Sequence, residues 1–576
     1  MDPVIRRRWE ARGTEPEFAG LERISRQLGI SPLAARVLWL RGISTPGTAR
    51  GYLECRLADL PDPFLLKGMD RAVERLVRAV VAGERIAVHG DYDVDGITGT
   101  ALLVESLQAL GGEVEYHIPL RLRDGYGLSA EALERAAASG ARVALSVDCG
   151  VSACAEARRA AELGLDLVIT DHHQPPDSLP EAFAIINPHL PGCRFPFKSL
   201  AGVGVAFFLL IALRKALREA GHFENHPEPD LRRSLDLVAL GTIADIVPLQ
   251  GVNRTLTRYG LEALNRGGRP GIQALKEVAA VDQVNCGNVA FRLAPRLNAA
   301  GRLEDAALGV ELLLAGSQNE ARPVAQMLDG FNRERQEIEQ ETLGQALELL
   351  EGRQTGGAKS IVLADERWHP GVIGIVASRL VERYHRPCVL IALENGQGKG
   401  SGRSIPGFHL YRALQHSQEH LAGFGGHEYA AGLSILGPDV EPFAARFEEF
   451  AQNSLGEQEL LPCLAHDGEA LVEELTFETV EQLGGFAPFG AGNPEPTFVL
   501  RGVRAQQAQV VGNAHLRFVA RQGGYTLPGI GFGLGSRLSE LAGEVDLLVA
   551  PGLNDWQGRV SVQLRVKDLR PATGGG

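Results

Sequence analysis

From about residue 84 the chain alternates short β-branched runs with longer amphipathic ones. RIAVHG, a helical ITGTALLVESLQAL, VEYHIP, a helical SAEALERAAASG, RVALSVDCG, a helical SACAEARRAAELG and LDLVITDHH follow in series. Strands separated by helices of about ten or more residues read as β-α-β units, which assemble into a parallel sheet with helices on its faces. Ligands of such sheets bind beyond the carboxyl ends of the strands. His89, Asp93 and Asp95 in HGDYDVDG, Asp148 in DCG and His172 in DHH fall at or just after predicted strand ends, and Asp245 in GTIAD is read the same way. Carboxylates and imidazoles delivered by successive strands form a donor set for two divalent cations, so hydrolysis of a phosphoester is the first functional expectation.

Blander readings of the same residues are weaker. The spacing of HGDYDVDG presents His89, Asp93 and Asp95 from one tight turn, where Gly90 and Gly96 relieve backbone crowding, whereas an Asp- and Gly-rich loop is often only a turn. Asp91, Asp93, Asp95 and Gly96 also match the first half of a calcium loop. The twelfth position of that loop would need a bidentate carboxylate, however, and it is Leu102; a strand, not a helix, precedes it. Two adjacent imidazoles, His172 and His173, are rarely needed for packing at a strand end.

The 576 residues suffice for three or four domains, with 44% hydrophobic and 22% charged residues, as in ordinary globular folds. A formal charge of −13 argues against a generally basic surface that coats nucleic acid. It leaves room for a local groove, because bound cations would neutralise acidity where a phosphate approaches. The seven cysteines, Cys55, Cys149, Cys154, Cys193, Cys286, Cys388 and Cys463, are scattered without a C-x-x-C pair, as expected in a reducing compartment. Neither a run of about 18 apolar residues nor an N-terminal apolar segment is seen, so no membrane association is expected and the cytoplasm is the expected location.

Further along, GVGVAFF opens an apolar helix from Leu200 to Leu217, where Gly202 and Gly204 would serve either a phosphate or close packing. A helix from about Leu231 to Leu240 leads to Asp245. The segment from about Gln318 to Leu350 is helical with a charged middle, either a connector between domains or a solvated surface helix. After residues 352–357 a second α/β unit begins with SIVLADE and continues into GQGKGSGRS and GFGGHEYAAG. Past about Leu455 short strand-like runs dominate, which suggests a small barrel of the OB type.

Joined in order, HGDYDVDG, IPLRLRDGYGL, SVDCG, TDHH, GTIADIVPL, PRLNAAGR, GSGRSIPGF, GGHEYAAG and GFAPFGAGNPEP resemble the DHH phosphoesterase superfamily, and within it the bacterial single-strand exonucleases, over roughly residues 40 to 570. The resemblance implies an α/β protein: a parallel-sheet DHH domain and an α/β DHHA1 domain joined by a long helix, followed by an OB-like β-barrel. The expected division is an N-terminal helical segment at 1–70, the DHH domain at 71–255, a helical connector at 256–352, the DHHA1 domain at 353–455 and the OB-like domain at 456–576. It also implies a 5′→3′ exonuclease on single-stranded DNA that releases 5′-mononucleotides in DNA recombination and repair.

On that resemblance His89, Asp93 and Asp148 would hold one Mn²⁺ or Mg²⁺ ion, and Asp95, Asp148, His172 and Asp245 the other. Asp148 would bridge them, His173 would face the substrate phosphate, and Asp91 would stand behind the ligands. Imidazole in the set favours Mn²⁺ over Mg²⁺. Ser401, Arg403, Gly425, Gly426 and His427 are similar to the family's terminal-phosphate pocket, with Arg121 beside them; arginine offers forked contacts there and glycine permits close approach. Tyr126 would stack on a base, wedge strands apart or simply be buried. Arg296 and Arg302 would track the backbone. Phe486, Phe489 and Phe498 are candidates for a stacking platform, with core packing as the competing reading.

Single-stranded DNA is thus the expected partner of a monomer, with a single-strand-binding protein and a helicase as further candidates. Three rivals remain. One is a relative acting on nanoRNA or cyclic dinucleotides, disfavoured by the extra barrel. Another is a DHH pyrophosphatase. The last is a metal-free replication scaffold, disfavoured because all six ligand positions are filled.

Overall fold

A computed structural model of the chain describes residues 7–14, 17–120, 127–352, 357–512 and 514–572. Five strands, in the spatial order Glu113–His117, Arg85–Gly90, Val143–Val147, Asp166–Thr170 and Ala184–Ile186, form an all-parallel sheet. Alternation along the strands sends Ile86, Val88, Val143, Leu145 and Val168 into a core shared with helices Met69–Ala82, Val94–Ala109 and Gly202–Glu219. Ala87, Ala144, Leu167 and Ile169 face the other way, under Ala130–Ala138 and Cys154–Glu162. Burial on both faces explains why these strands read as continuous apolar runs. The first strand, Arg85–Gly90, has the second strand on one side and the third on the other. The connections leaving this strand and its neighbour Val143–Val147 therefore run in opposite directions and open a crevice at their carboxyl ends.

The helix Gln318–Gly352 joins this unit to the next. One side of its charged middle is buried while the other is solvated: Arg335 pairs with Glu339 at 2.5 Å, both nearly buried, and Glu339 also reaches Arg379 of helix Ile373–Tyr384 at 3.2 Å, whereas Arg333, Glu334 and Glu337 are exposed. The second sheet runs in the order Gly423–Gly426, Ala430–Leu436, Gln397–Arg403, Cys388–Glu394 and Ile361–Asp365. Helices Leu410–His416 and Val440–Ser454 cover one face. On the other face helix Ile373–Tyr384 lies over Cys388 and Leu390.

Strands Phe498–Val511, His515–Gln522, Tyr525–Gly531, Arg559–Pro571 and Glu544–Trp556 close into a barrel in that order. Phe486 and Phe498 are fully buried in its core, and Phe489 packs against it. The expected stacking platform is corrected accordingly: Phe486 and Phe498 are occupied by the core. Residues near the N-terminus also belong here, because Ile24, Leu33, Val37 and Leu38 share this core with Leu500, Phe518 and Leu547. Strand Arg8–Ala11 pairs in parallel with Cys463–His466, and Trp9 Nε1 donates to Asp568 at 2.8 Å. Among the described residues no helix is long and apolar enough to cross a membrane.

Candidate metal centre and nucleic-acid interface

The acidic cluster sits at the crevice where the strand order reverses. His89 lies near the end of strand Arg85–Gly90 and Asp148 directly follows strand Val143–Val147. HGDYDVDG is not a single turn, as its spacing suggests. Asp93 caps helix Val94–Ala109, with Oδ1 accepting from Asp95 N at 2.9 Å and Gly96 N at 3.2 Å, and Asp95 already belongs to the first helical turn. Close approach needs Gly96, where a Cβ would stand 2.4 Å from the Asp91 carbonyl oxygen.

Asp95 is held from the opposite side by a helix end. Gly202 N donates to its Oδ2 at 2.6 Å and Val203 N to its Oδ1 at 2.9 Å, at the start of helix Gly202–Glu219. The G-x-G there serves this carboxylate and close packing, not a phosphate: a Cβ at Gly202 would stand 2.7 Å from the Asp148 Cβ. Asp245 reaches the cluster by a route other than the strand end read from the sequence, since it terminates helix Leu235–Ala244.

His172 is the centre of the inner group. Its Nε2 lies 3.1 Å from Asp148 Oδ1, 3.6 Å from Asp245 Oδ2 and 3.8 Å from Asp95 Oδ2. Three sets of potential ligand atoms converge: Asp148, His172 and His173; Asp95, His172 and Asp245; Asp91, Asp93 and Asp148. Asp91, expected behind the ligands, thus joins Asp93 and Asp148. His89 is buried close by, and among the described residues neither ring nitrogen has a hydrogen-bond partner. Asp148 holds φ 62°, a left-handed conformation that Asp tolerates better than most residues.

Asp171 was not assigned a role from the sequence, although it opens the DHH triplet. Its Oδ1 accepts from His172 N at 2.7 Å, from His173 N at 3.0 Å and from His173 Nδ1 at 2.8 Å, while Oδ2 accepts from Val151 N at 2.8 Å. It therefore orients the His173 imidazole and fixes the backbone that carries His172. Asn298, from the NAAG segment, accepts from Val94 N at 3.1 Å and ties the helical connector to the acidic loop. Neither contact carries a local sequence signal beyond membership in its motif.

The second group of expected residues gathers around the start of helix Ile373–Tyr384. A Cβ at Gly374 would stand 2.8 Å from Ser401 Oγ and 2.9 Å from Arg403 Nη2, and Arg403 Nη1 donates to Ser401 Oγ at 3.1 Å. Arg302 donates to Gly371 O at 3.0 Å, so it reaches the same loop from the connector. Gly425 and Ser401 both lie opposite Gly432 across the sheet, and Gly426 lies opposite Ala431. Lys399, Ser401 and Arg403 alternate with buried Gly398, Gly400 and Gly402, and the adjoining strands offer Ala430, Gly432, Ser434, Gly423 and Gly425 on the open side, with Leu436 exposed at the far end. The result is a shallow ledge of small residues with basic groups at its border, and His427 is exposed at its end. Arg296 is placed elsewhere, donating to Asp329 at 2.9 Å and to Arg292 O at 2.5 Å. Arg121 and Tyr126 lie outside the described residues.

The chain matches three family descriptions: the DHH family N-terminal domain at residues 85–242, the DHHA1 domain at 357–453 and the RecJ OB domain at 466–568. It is 44% identical to the single-stranded-DNA-specific exonuclease RecJ of Dickeya dadantii over 537 residues, covering 90% of this chain and 93% of the relative. The chain belongs to the RecJ family. A crystal structure of RecJ from Thermus thermophilus with Mn²⁺ superposes with a TM-score of 0.84 at 34% identity, covering 98% of this chain and 80% of that one. A second, with Mg²⁺, gives 0.78 at 32% identity, covering 98% and 79%.

The residues of this RecJ-family chain fit such cations on their own chemistry. Without a cation, burial and then repulsion from Asp93 push Asp95 up to about 7. Burial, then Asp95 and Asp93, push Asp245 up to about 9. Asp148 is raised by burial and by Asp95, Asp93 and Asp245. Burial lowers His89 to about 3 and His172 to about 4, leaving neutral imidazoles as donors. Carboxyls whose folded value is raised contribute stability that is full below their unfolded value near 4 and lost as pH rises through the folded value. Histidines whose folded value is depressed contribute stability that is full above about 6.5 and lost as pH falls towards the folded value. Above about pH 6.5 the carboxyl effect remains, joined by His173, whose raised value also contributes stability that is lost as pH rises. The cation-free protein is therefore expected to melt at progressively lower temperature from about pH 6.5 to 9, and Mn²⁺ to flatten that slope. Calorimetric scans in chelator and in Mn²⁺ check this; a flat cation-free profile would contradict the repulsion.

Proposed function

We propose that the chain is a 5′→3′ exonuclease on single-stranded DNA that releases 5′-mononucleotides by hydrolysis assisted by two cations. The observation that carries this reading is the meeting of three ligand sets on Asp148 and His172 at the strand-order reversal. Asp93 and Asp148, with Asp91 or His89, are assigned to one cation, and Asp95, Asp148, His172 and Asp245 to the other. Bound there, Mn²⁺ or Mg²⁺ supplies Lewis-acid polarisation of the phosphoryl group and acidification of a water.

The remaining work belongs to side chains. Asp171 fixes His173 through Nδ1, which directs Nε2 away from that bond. Burial alone would lower the His173 pKa, but the Asp171 hydrogen bond and charge, with Asp95 and Asp93, raise it. His173 thus holds a proton at Nε2 for the leaving oxygen or the phosphate. Ser401, Arg403 and the amides opening helix Ile373–Tyr384 form a site suited to a terminal phosphate, and Gly425 and Gly426 let the strand approach the sheet closely. Arg302 fixes this site against the catalytic unit. The barrel extends the DNA footprint. A monomer acting in the cytoplasm in recombination and repair, beside a single-strand-binding protein and a helicase, is the setting that suits this chemistry.

Strands labelled at one end or the other test the polarity. Early appearance of a 5′-labelled mononucleotide, ahead of any 3′ label, is expected in Mn²⁺. Release from the 3′ end first, or preference for a dinucleotide over a long strand, would overturn the reading.

A further inference from the structure

The motif GFAPFGAGNPEP takes no part in the cation cluster or the open ledge, yet it is built against the residues that follow Asp245. The next residue, Ile246, holds φ 60° with its side chain 74% exposed. A β-branched residue in the left-handed region is strained, and such strain persists only where the surroundings over-determine it. Burial of the Ile246 side chain does not offset the cost, so the restraint must act through the neighbouring backbone.

That restraint comes from the motif. Leu249 N donates to Ala491 O at 2.7 Å, and Gln250 Nε2 donates to Gly492 O at 2.6 Å. Gly492 holds φ 66°, and a Cβ there would stand 2.8 Å from the Cβ of Pro248. The loop is itself braced. Asn493 Nδ2 donates to Phe486 O at 3.0 Å and to Pro488 O at 2.6 Å. Arg254, fully buried, donates to Phe486 O at 2.6 Å and to Tyr52 O at 3.2 Å, while Arg41 donates to Pro494 O at 2.6 Å. A cavity of about 480 Å³ borders this junction, lined in part by Tyr52, Gln250, Arg254 and Gly492. Directed hydrogen bonds rather than continuous packing hold the two segments on that side.

We propose that residues 485–494 form a positioning clamp for Asp245. By fixing residues 248–250 they hold Ile246 in its strained conformation and aim the Asp245 carboxylate at His172 and Asp95. Gly492 and Gln250 are positioning residues, acting through the backbone between them and Asp245. The inference rests on the assignment of Asp245 as a cation ligand.

Calorimetric titration of the metal-free full chain with Mn²⁺ alone tests the clamp without DNA. Gly492→Val places a β-branched side chain against Pro248, and one of two Mn²⁺ equilibria is expected to weaken about 10- to 100-fold while the other holds. Adding Ile246→Gly, which takes the left-handed conformation without strain, is expected to restore the weakened equilibrium. A merely destabilised chain would not regain it. Should Gly492→Val fail to fold, Gln250→Ala removes one bond only and is expected to act in the same direction. Asp245→Asn distinguishes the two levels of the argument. If it weakens one equilibrium while Gly492→Val and Gln250→Ala leave both intact, the clamp is wrong; if it leaves both intact, the ligand assignment fails and the clamp with it.

Discussion

Asp148→Asn is expected to lower DNA hydrolysis by roughly 10³-fold or more, because loss of several kcal/mol of cation assistance translates into that factor. Both Mn²⁺ equilibria should weaken together, since Asp148 takes part in two of the three ligand sets. Asparagine is the informative substitution: the residue holds φ 62°, which Asn accepts, so charge is removed without backbone strain. The cation-free variant should be at least as stable as the parent at pH 8, because a buried carboxylate crowded by Asp95, Asp93 and Asp245 is gone. Loss of activity with gain of cation-free stability separates a ligand from a structural residue. Full activity in Mn²⁺, or an unchanged pair of binding equilibria, would remove Asp148 from the centre.

The second large effect concerns the strand end. Arg403→Ala is expected to reduce kcat/KM on a 5′-phosphorylated strand about 10- to 100-fold, the worth of hydrogen bonds to a charged group. A strand with a 5′-hydroxyl should lose far less, so the preference between the two substrates collapses. Arg403→Lys should not restore it, because a point charge cannot reproduce a fork anchored on Ser401 and the Gly402 carbonyl. Equal losses on both substrates would mean that Arg403 supports the sheet and does not read the end.

Much of the centre was legible in the chain because the relevant signals are local. Strand ends follow from β-branched runs, and a β-α-β series brings neighbouring strand ends into one crevice, so His89, Asp148 and His172 could be expected together. The RecJ-family motifs were visible for the same reason, as short runs whose order alone is distinctive. What failed did so where distance in space departs from distance in sequence. Asp245 arrives on a helix end. Asp91, expected behind the ligands, stands within reach of Asp93 and Asp148, a grouping its spacing does not report. Arg296 looks like Arg302 in PRLNAAGR, yet nearly two turns of helix separate a pairing with Asp329 from a contact with Gly371.

Residues 18–54 make the contrast sharper. Their helices are readable, but their partner is the barrel at the far end of the chain, a contact that no periodicity reports, whereas Leu57 to Met69 join the core of the first sheet. By itself the sequence determined the elements, their apolar faces and the chemical types at the strand ends, since each depends on a few neighbouring residues. The tertiary structure alone decided which carboxylates share a cation, which glycine aligns Asp95, and that the loop around Gly492 braces the segment after Asp245. Those are matters of a few ångströms between residues hundreds of positions apart, set by packing of the whole chain.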